Sequence, residues 1–358
     1  MPETRMMRLG IAGARRGASL LRLLANGAAV SVTVFDPLPD ARAALAEEFP
    51  GVEMEETFEG LLNAGVEAIY LASPSQYHAA QAIEALRRDI HVLSEVPPAV
   101  DVDEARVLVR TARRSAATYM LAENYCYTPP NETVLALARE GAFGRLHFGE
   151  ACYVGALPLA RINGGGWYAD WVVGVDAVTY PTHPLGPLLE WFDERIVSVS
   201  CAGSGCHTRH TLENTLVMLG RLDGGGLVQV RFDLLSRRPT ELFAYGVQGT
   251  DGSYEAGRGP WDRPRVHFPR RSPPGEWEPL DPYVERYAPA ALARGAPWGS
   301  PLAPALDFLE VVRTGRAPRF DVYRALDMTL PGLVSGVSLA SGGEWIEVPD
   351  PRTFTDGE

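Results

Sequence analysis

Four stretches of the chain hold residue types able to do chemistry at spacings that matter. His91-Val92-Leu93-Ser94-Glu95-Val96-Pro97-Pro98 reads as a short buried strand, His91 to Ser94, running into a carboxylate and two prolines. Prolines stop a strand and stiffen the backbone after it, and sites in open α/β sheets lie at strand C-terminal ends. Arg8 to Gly13 is an apolar strand leading into Ala14-Arg15-Arg16-Gly17-Ala18, an imperfect dinucleotide fingerprint. Gly13 fills its first position, Arg15 stands where the second glycine usually sits, and Ala18 fills the third. The helix after this turn has free N–H groups suited to a pyrophosphate, and Arg15 or Arg16 can add charge. The next strand ends in Asp36, roughly 20 residues on, where an acid binds the adenosine ribose hydroxyls and repels a 2′-phosphate. NAD is therefore expected over NADP. Finally, Asn163-Gly164-Gly165-Gly166-Trp167 leads to Thr179-Tyr180-Pro181-Thr182-His183-Pro184, where prolines stiffen the backbone around a tyrosine and a histidine. A histidine such as His183 suits acid or base work near neutral pH.

These residues need elements to hold them. Apolar periodicity predicts strands at 8–13, 29–35, 68–72, 91–94 and 118–122, alternating with helices at 19–26, 41–49, 60–64, 79–87 and 105–115. Such alternation implies a parallel sheet with right-handed crossovers. Ser73-Pro74-Ser75-Gln76-Tyr77-His78 is the loop after the 68–72 strand; His78 reads equally well as a polar residue starting a helix. From Leu146 the period changes to two, with strands expected at 146–154, 196–202, 215–221, 227–235 and 242–248. Asp223-Gly224-Gly225-Gly226 marks a hairpin between the third and fourth. The expected fold class is α/β: a Rossmann domain over 1–124, then an α+β domain over 125–358 with a large, mostly antiparallel sheet. Residues 256–300 are rich in Pro, Arg, Trp and Gly and show no period. Helices are expected at 301–314 and 321–341 and a last strand at 344–348, with 320–350 packing back on the first domain.

Composition narrows the classes. A chain of 358 residues is too long for one core. Hydrophobic residues at 46% and charged ones at 22% are ordinary for a globular enzyme. A net charge of −12 argues against a nucleic-acid or anionic-membrane binder. No stretch reaches the roughly 20 apolar residues of a membrane span, and no signal-peptide core precedes the first strand. The scattered cysteines suggest no disulfide framework, so a cytoplasmic, reduced setting is expected. Cys201, Cys206, His207 and His210 lack a second cluster at finger-like spacing, and no metal is expected.

Ala72-Ser73-Pro74, His78, Ala82, Ala85, His91-Val92, Glu95 and Pro97 together resemble the glucose–fructose oxidoreductase / inositol dehydrogenase / MocA family. The resemblance implies that Gly13, Arg15, Arg16, Asp36, Ser73, Ser75, Tyr77, His78, Glu95, Val96 and Asn124 serve the cofactor. It also implies that one face of the second sheet covers the active site while the other joins subunits into a homodimer or homotetramer. Two departures fall on catalytic positions. The family closes its strand with Glu-Lys-Pro, where this chain has Val96, and carries Asp-x-x-x-His where Thr179 precedes His183. Glu-Val-Pro, Glu-Asn-x-Cys-Tyr and Tyr-Pro-Thr-His are similar to one branch, the NAD-dependent glycoside hydrolases that include α-N-acetylgalactosaminidases. That branch implies substrate contacts from Tyr153, Trp167, Tyr180, Pro181, Thr182 and His183. A later tyrosine of those enzymes aligns with Glu241 here, and their usual export signal is not seen.

The implied substrate is a sugar or glycoside. Oxidation of a ring hydroxyl, expected at C3, acidifies the neighbouring C2 proton; a base removes it, the C1 substituent leaves, water adds, and the ring is reduced again with NAD retained. His183, with Tyr180 or Tyr153, would handle the protons. The alternatives are a simple NAD-dependent sugar or polyol dehydrogenase and, in another class, a catalytically weak NAD-binding sensor or partner subunit.

Overall fold

The computed structural model describes residues 6–24, 30–155, 180–205, 215–233, 236, 238, 242–259, 261–294 and 300–355. The chain divides into two compact units. The first comprises Met1–Asn124, Gly299–Leu326 and Pro351–Glu358, and the second Tyr125–Trp298 and Asp327–Asp350.

In the first unit, β1 (Met7–Ala12), β2 (Val30–Phe35), β3 (Glu53–Glu55), β4 (Ala68–Leu71), β5 (His91–Ser94) and β6 (Tyr119–Leu121) form one sheet in the order β3-β2-β1-β4-β5-β6. Every pairing is parallel. The order reverses between β1 and β4, and a crevice at such a switch point is where doubly wound sheets bind ligands. β4 is buried at all four positions, as a central parallel strand covered on both faces should be. The connecting helices are α1 (Ala14–Leu24), α2 (Pro39–Glu48), α3 (Phe58–Asn63), α4 (His78–Leu86) and α5 (Val102–Arg114). Asp101 caps α5 by accepting from Glu104 N at 2.7 Å, and Asp103 and Glu104 in its first turn suit the helix dipole.

The second unit opens with a 3-10 turn running from the last residue of the first unit (Asn124–Tyr127) and α6 (Pro129–Arg139). Its strands are β7 (Leu146–Val154), β8 (Ile196–Gly203), β9 (Leu216–Leu222), β10 (Leu227–Asp233), β11 (Leu242–Gly249), β12 (Ser253–Glu255), β13 (Arg265–His267), β14 (Glu278–Pro279) and β15 (Ile346–Glu347). They make a sheet ordered β14-β13-β12-β11-β7-β10-β9-β8-β15, antiparallel except where β7 runs parallel to β10. The Asp223–Gly226 turn joins β9 to β10, with Leu222 N bonded to Gly226 O at 2.9 Å. Helix α7 (Thr182–Phe192) lies on β7, where a Cβ at Gly149 would meet the Phe192 ring at 2.9 Å. Only glycine lets that helix so close.

Residues 261–294, which show no period in the sequence, hold β13, β14, α8 (Asp281–Tyr287) and α9 (Pro289–Arg294), each too short to show one. Two expectations need correction. After α10 (Leu302–Thr314), the single helix expected at 321–341 is two, α11 (Val322–Asp327) and α12 (Leu330–Ala340). Pro331 falls in the first turn of α12, where its missing N–H does no harm but a continuous helix would be broken. Of the 320–350 segment expected to pack back on the first domain, 320–326 belongs to the first unit and 327–350 to the second; the first unit also takes in 299–319 and 351–358. Leu121 N bonds Phe320 O, whereas α12 packs on β8 through Ser338, whose Oγ accepts from Cys201 N at 2.9 Å.

Candidate active site

The β1–α1 turn and the loop after β4 come together in the first unit. Gly13 has φ +101°, and a Cβ there would run into the carbonyl of Ala72. Both the left-handed backbone and the close approach require glycine. Asp36, buried at the end of β2, uses its carboxylate to hold this turn: Oδ2 accepts from Ala14 N at 2.9 Å and Oδ1 from Leu38 N at 3.0 Å. It thus sits at the N-terminus of α1, fixing the acidic end of β2 against the fingerprint turn. Arg15 is exposed on the first turn of α1. Arg16 instead reaches across, its Nε donating to Glu95 Oε1 at 2.8 Å.

Glu95 comes directly after β5, its N–H bonded to Leu71 O at 2.9 Å, which extends the β4–β5 pairing by one residue. Its carboxylate is buried and also accepts from the Tyr70 hydroxyl. Burial alone would raise its pKa, but the Arg16 charge, the Tyr70 bond and His78 together bring it below the usual carboxylate range. Burial and the Glu95 charge push the Tyr70 phenol well up, so it stays a donor. His78, almost wholly buried, faces two main-chain oxygens, Pro97 O from Nδ1 and Ser73 O from Nε2, each at 2.8 Å. Both are acceptors, so a doubly protonated ring would satisfy both; burial lowers its pKa against the pull of those carbonyls and Glu95. His78 therefore braces the β4 and β5 loops, with its ring turned to main chain. Val96 is buried at 3% exposure, and the Val96–Pro97 peptide is cis. Ser75 is buried in the 3-10 turn before α4, and Tyr77 is exposed.

Buried polar atoms without partners point to where a ligand would supply one. Two lie at C-terminal ends of this sheet: Gln76 Oε1 after β4 and Asn124 Oδ1 after β6. With the glycine turn, the helix N-terminus and Arg15, they fit a dinucleotide. Asn124 is the residue expected to meet its nicotinamide end.

In the second unit the tyrosines and His183 form one cluster. Tyr180 lies edge-on to His183 at 5.2 Å between centroids, Tyr153 is 5.6 Å from His183 and 6.1 Å from Tyr180, and Tyr125 is 4.4 Å from His183. Pro181, Thr182 and His183 begin α7 and are buried. The Tyr245 hydroxyl donates to His183 O at 2.8 Å and ties that first turn to β11. Trp167 and Thr179 lie outside the described residues, as do Glu241, Cys206, His207 and His210; among the described residues no metal-binding cluster is found.

Three contributors are not evident from sequence. Tyr70 looks like one more apolar position of a buried strand. Phe243 stands 5.0 Å from Tyr153 and 5.7 Å from Tyr125, because β11 pairs it with Tyr153 across the sheet. Tyr245 lies two residues on, on the same face. Strand alternation gives the face but not the register, and the register is what places them.

Residues 7–123 match the model of the GFO_IDH_MocA family, an oxidoreductase family with an NAD-binding Rossmann fold. A "Glycosyl hydrolase family 109 protein" of Saccharopolyspora erythraea is 27% identical over 98% of this chain and 84% of its own. One of the same name from Solibacter usitatus is 27% identical over 85% of this chain and 75% of its own. Among solved structures, the WlbA dehydrogenase of Bordetella pertussis, in complex with NADH and UDP-GlcNAcA, has a TM-score of 0.82 at 20% identity, covering 97% of this chain and 99% of that one. A levoglucosan dehydrogenase in complex with NADH and L-sorbose has a TM-score of 0.83 at 17% identity, covering 97% of this chain and 100% of that one. Residues 7–123 are thus similar to that family, and the two-part fold is similar to that of these solved structures.

Proposed function

We propose that this enzyme of the Gfo/Idh/MocA oxidoreductases uses NAD to oxidise a sugar ring hydroxyl, at C3, as a passing step in glycoside cleavage. The observation that carries the reading is Val96. It is a buried apolar residue where family dehydrogenases place lysine, while an intact Tyr180–His183 segment is packed against Tyr153. Bound NAD would supply a reversible acceptor for the ring hydrogen. Asn124 would hold its nicotinamide end, Arg15 its phosphates, and Asp36 its adenosine ribose, favouring NAD over NADP. Val96 would form an apolar wall and exclude water. With no ammonium at that position, proton handling passes to His183 as base or acid and to Tyr180 or Tyr153 as the second shuttle. The names of the full-length relatives support glycoside chemistry.

The competing reading is a simple NAD-dependent sugar dehydrogenase, which the names of the structural neighbours favour. One assay separates them. Release of an aglycone without net NADH supports redox-cycled cleavage; NADH accumulating with free sugars overturns it in favour of the dehydrogenase. A second copy of the chain would cover the sheet face opposite α7, where Phe148, Cys152, Gln229 and Arg231 are half-buried. There Arg231 Nε is buried without a hydrogen-bond partner. Light scattering on the wild type and Arg231→Glu tests that assembly.

A further inference from the structure

In the described part of the cluster at His183, Phe243 is the ring without a polar atom. Antiparallel pairing sets it directly opposite Tyr153, with ring centroids 5.0 Å apart and planes 32° from parallel. It also lies T-shaped to Tyr125 at 5.7 Å. Tyr153 in turn is 6.1 Å from Tyr180, with planes 26° apart, so one tyrosine is shared between the other two rings. Helix α7 covers this face of the sheet at Gly149, where its Phe192 ring comes close. Two same-face positions further along β7, Tyr153 is only half-buried, as are Phe243 and Tyr180, whereas Tyr125 and His183 are buried. Three partly open rings therefore lie beside a buried histidine.

The tyrosines can exchange hydrogen bonds with a sugar's hydroxyls. Phe243 can neither donate nor accept, and a hydroxyl pressed against it would lose water without gaining a partner. What suits it is apolar surface, and above all another ring, because aromatic pairs gain more than the area they bury. The sugar of a glycoside is studded with hydroxyls; its aglycone need not be. We propose that this site takes glycosides whose aglycone is an aromatic ring seated against Phe243, with Tyr153 shared between aglycone and sugar. The proposal rests on the sugar-acting reading above and names the class of its leaving group.

The test titrates phenyl, cyclohexyl and methyl glycosides of glucose and galactose, both anomers, into the NAD-saturated full chain in a calorimeter. Wild type should bind a phenyl glycoside about tenfold tighter than its methyl counterpart, and severalfold tighter than the cyclohexyl one. Phe243→Ala should bring the phenyl-to-methyl ratio towards one, and Phe243→Tyr should keep it. A merely structural role would weaken all three ligands together in the alanine variant and leave the ratios unchanged, which overturns the proposal. A wild type that binds phenyl and methyl glycosides alike, or binds none of them, overturns it too. If the alanine variant does not fold, Phe243→Leu decides, since it keeps apolar bulk without a ring face. That variant should lose the preference for phenyl over cyclohexyl, and its keeping that preference refutes the assignment. Failure of the redox reading shows up separately, as phenyl glycosides still bound preferentially while NADH accumulates with free sugars.

Discussion

Replacing Arg16 by Gln removes the guanidinium from a pair whose carboxylate side chain is 11% exposed and whose arginine is 40% exposed. The open arginine brings the cost below that of breaking a fully buried pair, and the buried carboxylate keeps it above a surface pair. About 1–2 kcal/mol is expected at neutral pH. Glu95 has its pKa lowered in the folded state, so its contribution is present above the unfolded carboxylate range and is lost as pH falls through the folded pKa. Without Arg16, burial prevails and the pKa rises, so protonation relieves the variant at higher pH. The deficit between wild type and variant should therefore be largest near pH 7 and shrink towards pH 4. Urea unfolding followed by a probe in the first unit, repeated across that range, measures it. A deficit independent of pH, or one growing in acid, would refute the idea that Arg16 acts by holding Glu95 ionised. The Arg16→Gln/Glu95→Gln double variant should recover part of the loss, since no uncompensated charge remains.

Gly13→Ala places a methyl against the Ala72 carbonyl at a positive φ, so NADH binding should fall at least tenfold, read by fluorescence titration. Asn124→Leu removes an orphaned buried oxygen; thermal stability should hold or rise while NADH affinity drops about tenfold. Tyr180→Phe and His183→Asn should each lower turnover of a genuine substrate at least a hundredfold with NADH binding retained; full turnover in either would remove it from the proton-transfer role. Tyr245→Phe, losing one bond to the His183 carbonyl, should cost about 1 kcal/mol in unfolding.

The alternating half of the chain is legible because its strands are buried on both faces and its helices show an apolar stripe, as at 68–71 and 102–114. Glu53–Glu55 is not, because an edge strand of two glutamates and a methionine has no apolar signal. Beyond 256, strands such as Arg265–His267 bury a single residue, Val266, and one buried residue has no period. In the site, the residue types are visible in the sequence but their partners are not. Glu95 meets Arg16 across 79 positions of sequence, and only the fold brings them together.

Residues 352–354 are gripped by α5. Arg113 donates to the carbonyls of Arg352 and Phe354 and to the Tyr323 hydroxyl, while Arg106 lies over the Phe354 ring. The nucleotide-binding unit is thus closed by segments that come after the whole of the second unit's large sheet. During synthesis its six strands emerge early, but this support arrives only with residues 352–354. Completion of the cofactor domain therefore waits on translation past the second unit, and a truncation near residue 350 would reach the cofactor domain first.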